Sequence, residues 1–423
     1  MKIALLCPPA IGHVNPFLAL ADALRDLGHV PVFFQIADYS EKISEQGHLV
    51  RIYGEKAFPR GKWNAFSETF GALSGRAATD AFIAVMKERT TVAVQELPGI
   101  LKAEGVGAIV ADQVGLEAST VAEILGIPFV TLCNALPLDG DPSTPPFFTS
   151  WLPSKSRWAR FRNGIAYAAL ERKVRPTLMV VNAARATHGL PILRRRSETY
   201  SKTLKLIRLH ESLDFPRQGE AHVRWIGALV RTGGGDPNFP WELLSTIKPI
   251  VFVSMGSEVN KRLATFEQIE EALFSPHHQL VISLGRRNAD ASALRVKGDT
   301  LVFSFVPQFE MLRRASFFVT HGGLNSVLEA LSLGVRMLVI PATNDQFGVA
   351  ARIAHHNLGC AVGWNGANPA AIRSAFAHLE RDAEVIGKNI RSYAEAASPP
   401  VAAAKAARLI ERAIAPGNAT MLA

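Results

Sequence analysis

The sequence predicts an α/β protein made of two doubly wound, Rossmann-like domains facing each other across a cleft. Short apolar runs alternate with amphipathic segments along nearly the whole chain, the pattern of βα units and parallel sheets. The run Thr232-Gly-Gly-Gly-Asp-Pro237 breaks that alternation in mid-chain and reads as a linker. The length of 423 residues suits two or three domains of ordinary size. The domains are accordingly placed at 1–230 and 241–423, joined by 231–240.

Lys2 to Cys7 is an apolar run bounded by Pro8-Pro9 and reads as a buried strand. Asn15 is placed as an N-cap and Pro16 at the first helical position; Phe17, Leu20, Leu24 and Leu27 follow at helical spacing, and Gly28 closes the helix. Val32 to Ile36 is a second strand, which makes a parallel unit with a right-handed crossover. Ala108 to Ala111 is a strand ending at Asp112. Glu117 to Leu125 is a helix stopped by Gly126, and Pro128 to Leu132 is again a strand. Residues 137–146 hold four prolines and form a loop. The stretch 151–208 is mostly helical by periodicity. Beyond the linker, strands are expected at Ile250–Ser254, Leu280–Leu284, Leu301–Phe305, Phe317–Thr320 and Met337–Ile340, with helices between them. An Ala-rich helix at about 400–414 ends the pattern.

Hydrophobic residues at 48% and charged residues at 20% exclude a disordered or fibrous chain. Three cysteines, at 7, 133 and 360, are too few and too dispersed for a disulfide framework or a Cys-type zinc site, and they fit a reducing compartment. No run approaches 18 apolar residues, and the apolar opening is too short for a secretory signal. The expected location is cytoplasmic. Between Trp151 and Arg208 stand 14 Lys/Arg against two acids, a net +12, whereas the whole chain carries +9 and the remainder therefore −3. Such a segment suits an anionic partner, either nucleic acid or membrane, or is simply a solvated helix face.

Three constellations carry chemistry. His13, in Gly12-His-Val-Asn-Pro16, lies between the first strand and a helix, at the sheet edge where open α/β sheets bind ligands. It is a candidate general base. Asp112 ends another strand of the same half and can accept a hydrogen bond from that ring, fixing its tautomer. The third is Thr320-His-Gly-Gly-Leu-Asn-Ser-Val-Leu-Glu329, followed by Asp345-Gln346 after the next strand. Gly322 and Gly323 open a helix toward a phosphate. His321, Asn325 and Glu329 recur every four residues on one helix face, an order that suits a nucleotide read from diphosphate to ribose. Asp345 and Gln346 suit sugar hydroxyls.

With these motifs in place, the sequence resembles the inverting, nucleotide-sugar-dependent glycosyltransferases of family 1, which have the two-domain GT-B fold. The GHxNP opening, the Ala111-Asp-Gln113 segment, Phe305-Val-Pro-Gln308 and the HGGxNSxxE block with its later Asp-Gln stand in the family's order. Within the family the chain resembles most the bacterial carotenoid (zeaxanthin) glucosyltransferases, through Asn134-Ala-Leu-Pro-Leu138, Leu213-Asp-Phe-Pro216 and Asp345 to Arg352. The resemblance implies that His13 deprotonates an acceptor hydroxyl and Asp112 orients it. It implies that His321, Gly323, Asn325 and Ser326 hold the diphosphate, with Ser257 on the same side. Glu329 would bind ribose, Phe305, Val306 and Gln308 the nucleoside, and Asp345 and Gln346 the sugar. Where many members stack uracil on a tryptophan, this chain has Phe305.

The expected reaction is a one-step, metal-independent displacement that moves a sugar, glucose by resemblance, from a UDP-sugar to a small lipophilic hydroxylated acceptor such as a carotenoid, terpenoid or polyphenol. The UDP-sugar is a co-substrate, and no cofactor is expected. The acceptor pocket is expected around 60–90 and 134–175. The last helix is expected to pack back on the N-terminal domain. The aromatic residues Trp151, Trp158, Phe161 and Tyr167 interleave with Arg and Lys, which suggests peripheral contact of residues 151–175 with an anionic membrane on its inner face. Two other readings stand beside this one: a nucleotide-sugar epimerase on the same architecture, and a nucleic-acid-binding protein using 151–208. The last leaves both sheet-edge constellations unused, so no nucleic-acid partner is expected.

Overall fold

A computed structural model of the chain describes residues 1–70, 73, 75–217, 220–231, 236–256, 263–397 and 399–415. The first sheet has seven strands: β1 (Lys2–Leu6), β2 (Val30–Gln35), β3 (Leu49–Ile52), β4 (Ala108–Asp112), β5 (Phe129–Cys133), β6 (Lys205–Ile207) and β7 (Val223–Trp225). They lie in the order β3-β2-β1-β4-β5-β6-β7, every neighbouring pair parallel. The second sheet has six: β8 (Ile250–Ser254), β9 (Gln279–Ser283), β10 (Leu301–Phe303), β11 (Ala315–Thr320), β12 (Arg336–Val339) and β13 (Gly359–Ala361). Their order is β10-β9-β8-β11-β12-β13, again all parallel. The central strands β4 and β8 are buried throughout, which is why they read as unbroken apolar runs rather than alternating ones.

In each sheet the strand order reverses once, between β1 and β4 and between β8 and β11. At such a point the flanking helices leave to opposite faces, and a crevice opens beyond the carboxyl ends of the two strands. Leu6 is level with Ala111, and Ser254 with Thr320. The segments that begin at Cys7 and Asp112 therefore share one crevice, and those that begin at Met255 and His321 share the other.

Three sequence expectations are revised. The first helix runs from Ile11 to Asp26, with Ala10 as its cap, so it starts before Asn15 and carries Pro16 inside it. His13 thus stands in the first helical turn and not in a loop. Pro16, expected at the first helical position, removes one donor inside the helix without breaking it, because the lost bond is replaced from outside. Within the basic stretch the α-helix spans only Arg157–Thr187; after it come irregular chain, a 3₁₀ turn at Arg196–Thr199 and the short inner strand β6. The strand expected to reach Phe305 ends at Phe303. Of the linker, Thr232 to Gly235 lie outside the described residues.

Each core borrows from the other half of the chain. The last helix, Pro399–Ala413, packs on the first helix and sends Ala406, Ala407 and Ile410 into the core of the first sheet. Small side chains on that face let the two helices approach closely. Conversely Leu136, Leu209 and Leu213, from the first half, join the core of the second sheet. Among the described residues no helix is long and apolar enough to cross a membrane.

A buried ion cluster ties the halves together. Arg352, on the helix Gln346–His355, donates from Nε and Nη2 to Asp214 Oδ1 at 3.1 and 2.8 Å. Arg217 Nε donates to Asp214 Oδ2 at 2.7 Å. Burial alone would raise the Asp214 carboxyl, yet the two guanidinium groups overcome it and hold it far below the ordinary 3.8. A depressed folded-state pKa stabilises the fold above pH 3.8 and is lost as pH falls below that value. Asp214→Asn is therefore expected to cost about 3–5 kcal/mol at pH 7, the usual cost of breaking a buried pair. The gap between wild type and variant, measured by urea unfolding, should narrow as pH drops below 3.8.

Candidate active site

At the first crevice His13 Nδ1 lies 2.7 Å from Asp112 Oδ2. Asp112 is buried, and its other oxygen accepts the Val114 N–H at 3.0 Å. A carboxylate only accepts, so the Nδ1 atom of His13 donates, and the neutral ring presents its lone pair at Nε2. The ring is the partly exposed member of the pair. This is the geometry of a base held in one tautomer by an orienting acid. Behind Asp112, Arg89, Glu117 and Tyr53 form a buried network, with Arg89 donating to Glu117 at 2.8 Å and to Tyr53 Oη at 2.8 Å.

The backbone around His13 is fixed from two directions. Pro16 has no N–H, so the carbonyl of Gly12, four residues earlier, gets no intrahelical bond. It accepts Asn325 Nδ2 from the second half of the chain at 3.0 Å. The His13 carbonyl accepts Asn134 Nδ2 at 2.9 Å. Gln113 holds the loop that carries Asn134: its Nε2 donates to Leu136 O at 2.9 Å, and its Oε1 accepts Leu138 N–H at 3.1 Å. The same loop turns the Leu136 amide toward the Asp345 carboxyl.

At the second crevice the His321 ring sits between two glycines. A Cβ at Gly256 would stand 2.5 Å from its Cε1, and one at Gly323 2.6 Å from its Nε2. Gly256 also has φ +74°, so no other residue fits there without displacing the ring. Burial pushes the imidazole down to about 4, with its bond to the Ser254 backbone working the other way. The ring nitrogen not engaged by Ser254 is then an acceptor. To donate to a diphosphate it must take up a proton, which the anion itself favours.

Helix Leu324–Ser332 starts here with Gly323 at its cap and points its N-terminus into the cleft. Ser326 Oγ and Glu329 both meet Gln308, whose Nε2 donates to them at 3.2 and 2.6 Å. Burial pushes the Glu329 carboxyl up to about 7, with the Gln308 bond opposing. Val306 is buried, whereas Phe305 is exposed, with the Arg287 guanidinium 4.6 Å from its ring centre. Asp345, raised by burial, sits where His13 and Arg208 act on it from the first half of the chain. Gln346 spends its Oε1 on the amides of Ala342 and Thr343, at 2.9 and 3.0 Å, and keeps only its NH2 for a sugar. Asn325 is committed to Gly12 and Arg208 through both ends of its amide. Ser257 lies outside the described residues.

The structure thus brings His13, Asp112, His321, Gly323, Asn325, Ser326, Glu329, Gln308 and Asp345 around one cleft. Reading the sequence missed Arg208, Gly256 and the roles of Asn134 and Pro16. The sequence offered no signal for Arg208, because the strand it follows is only three residues long and lies within the basic stretch.

Two parallel-sheet domains that share one cleft, with a His–Asp pair on one side and a glycine-flanked helix N-terminus on the other, are the architecture of a two-domain, nucleotide-sugar-dependent glycosyltransferase of the GT-B type. The chain belongs to the UDP-glucoronosyl and UDP-glucosyl transferase family, which it matches over residues 31–390. It is 29% identical over 418 residues to a zeaxanthin glucosyltransferase of Pseudescherichia vulneris, covering 97% of this chain and 98% of that protein. A zeaxanthin glucosyltransferase of Pantoea ananas is 29% identical over 364 residues, 84% of this chain and 83% of that one. Among solved structures, the glycotransferase of kitacinnamycin superposes with a TM-score of 0.75 at 21% identity, covering 98% of this chain and 99% of that one. A calicheamicin glycosyltransferase superposes with a TM-score of 0.72 at 18% identity, covering 98% of each chain. The fold is therefore GT-B, and the reaction is glycosyl transfer rather than epimerisation.

His13→Ala is expected to lower turnover by about 10²–10⁴-fold, the usual contribution of a general base, with UDP affinity by calorimetry unchanged. Asp112→Asn, which leaves the ring without its acceptor, should be impaired comparably on an alcohol and less on an acidic phenol. A His13→Ala enzyme with near-normal turnover on an alcohol acceptor contradicts the assignment.

Proposed function

We propose that the protein is an inverting glucosyltransferase that carries glucose from UDP-glucose to a hydroxyl of a small lipophilic acceptor, a carotenol first among the candidates. The His13–Asp112 pair, joined to the donor-side helix through the Gly12–Asn325 bond, is the observation that carries this reading. His13 Nε2 takes the acceptor proton as the oxygen attacks the anomeric carbon, and UDP leaves from the far side. One displacement inverts that carbon, so an α-linked donor yields a β-glycoside. Charge growing on the diphosphate meets the N-terminus of helix Leu324–Ser332 and a protonated His321, and the reaction needs neither a divalent metal nor a cofactor. Glu329 and Gln308 take the ribose hydroxyls, Phe305 offers its ring to the base, and Asp345 with the Gln346 amide reads the sugar. The zeaxanthin glucosyltransferase relatives favour glucose and a carotenoid. An aromatic cluster of Trp63, Phe66, Phe70 and Phe82, with successive ring centres 5.3, 5.4 and 6.2 Å apart, favours an apolar acceptor.

A lipophilic acceptor resides in membrane, and the helix Arg157–Thr187 has a face that suits one. Trp158 and Phe161 are 68% and 60% exposed, and Ile165 and Met179 continue the face, flanked by exposed Arg157, Arg160, Arg172 and Arg175. That composition is an interfacial helix for an anionic leaflet. The participating set is narrower than 151–175 suggests: Tyr167 is buried, and Trp151 lies beneath the Arg162 guanidinium, 3.9 Å away.

The reaction is tested with UDP-glucose, UDP-GlcNAc, UDP-glucuronate and dTDP-glucose against a carotenol, a flavonoid and a simple phenol, in chelator, with mass-spectrometric readout. Transfer from UDP-glucose to the carotenol, with a β-linkage by NMR, is expected. A retained α-linkage sinks inversion, and turnover of UDP-glucose without acceptor sinks transfer.

Membrane contact is tested by co-sedimentation. Binding to phosphatidylglycerol vesicles at low salt is expected, weakening as salt rises and lost in the Arg157→Glu/Arg160→Glu/Arg172→Glu variant. Wild-type protein that stays in the supernatant ends the membrane reading.

A further inference from the structure

Five arginines are buried among the described residues: Arg89, Arg185, Arg196, Arg208 and Arg352. Four of them hold a carboxylate, namely Glu117, Glu123, Glu171 and Asp214 respectively. Arg208 is the exception. It stands directly after β6, at the carboxyl edge of the first sheet, and is 1% exposed. Its Nη2 donates to the neutral Oδ1 of Asn325, and its Nε and Nη1 find no partner among the described residues. Burial lowers its guanidinium to about 10, while the more distant carboxylates of Asp112, Glu329 and Asp345, all on the cleft, work against that. A buried cation without a paired anion costs several kcal/mol.

Its surroundings say what the missing counter-charge is. Arg208 lines a small cavity with Asn15, Pro16, Asn325, Leu328 and Glu329, where the two halves of the chain meet. The residue it touches, Asn325, is in the first turn of the helix whose positive end faces the cleft. A fixed cation beside that dipole makes an anion site with contributions from both sheets. A guanidinium is suited to it, since its planar fork stays charged when buried and directs two N–H groups at one phosphate.

We propose that Arg208 is a donor-binding catalytic residue: from the N-terminal sheet, it donates to the diphosphate of the nucleotide-sugar held by the C-terminal sheet. The inference rests on the proposed UDP-sugar donor. It gives donor binding a means to draw the halves together, because the diphosphate supplies the counter-charge that Arg208 lacks without it. In the displacement step, the guanidinium meets charge that grows as the sugar–phosphate bond breaks.

The test compares UDP with uridine, which lacks the phosphates, using calorimetry for the first and saturation-transfer NMR for the second. Arg208→Met keeps the length and removes the charge. It is expected to weaken UDP by about 10- to 100-fold, the loss of one or two charge-assisted bonds, and to leave uridine unchanged, with the thermal melt confirming a folded protein. If Arg208→Met does not fold, Arg208→Lys carries the test, because a single ammonium cannot reproduce the fork. A partial loss for UDP with uridine unchanged is then expected. Equal weakening of UDP and uridine, or unaltered UDP affinity in a folded variant, overturns the proposal. Failure of the wild type to bind UDP instead overturns the donor assignment beneath it.

Discussion

The Gly12 carbonyl is the pivot of the molecule. Proline four residues on leaves it without its intrahelical donor. The vacancy is filled from across the cleft by Asn325, whose own amide oxygen is occupied by Arg208. One residue further, the His13 carbonyl is filled by Asn134. The His13 ring is thereby located by its backbone relative to both sheets, before its side chain meets Asp112. An ordinary helix would have satisfied the Gly12 carbonyl internally and left the two halves without this bond.

The electrostatics of the cleft follow from the same juxtaposition. Each half contributes groups whose charge suits the other half. Asp214, from the first, is neutralised by Arg352, from the second. His321, buried between two glycines, stays neutral until an anion approaches. Burial raises Glu329 and Asp345 toward the protonated form. The empty cleft is therefore poor in compensated charge. A polyanionic nucleotide is the ligand that changes the state of several of these groups at once.

How much of this was legible in the sequence depends on how local each determinant is. Asp112 and His321 could be placed because each ends or directly follows an apolar strand run, and His13 because it stands in the segment that leads from the first strand into its helix. The two doubly wound sheets were legible from alternation, and their GT-B pairing from the resemblance to family 1 glycosyltransferases. The short strands β3, β6, β7 and β13 were not, since runs of three or four residues carry too little periodicity. Pro16 misled because the compensation for it stands more than 300 positions away, at Asn325. Gly256 was invisible for the same reason: only the position of the His321 ring explains it. Tyr167 looked like a surface aromatic, yet it packs under the proline-rich loop, with Gly140 against its ring.

The return of the last helix to the first sheet means that the chain crosses between the halves twice, after β7 and again after Ala397. These crossings touch. A Cβ at Gly227 would lie 3.3 Å from that of Ala402 and 3.7 Å from the Ala397 carbonyl. The two halves are thus tied by covalent chain at two neighbouring places, and any movement of one half against the other would have to be taken up beside Gly227, Ala397 and Ala402.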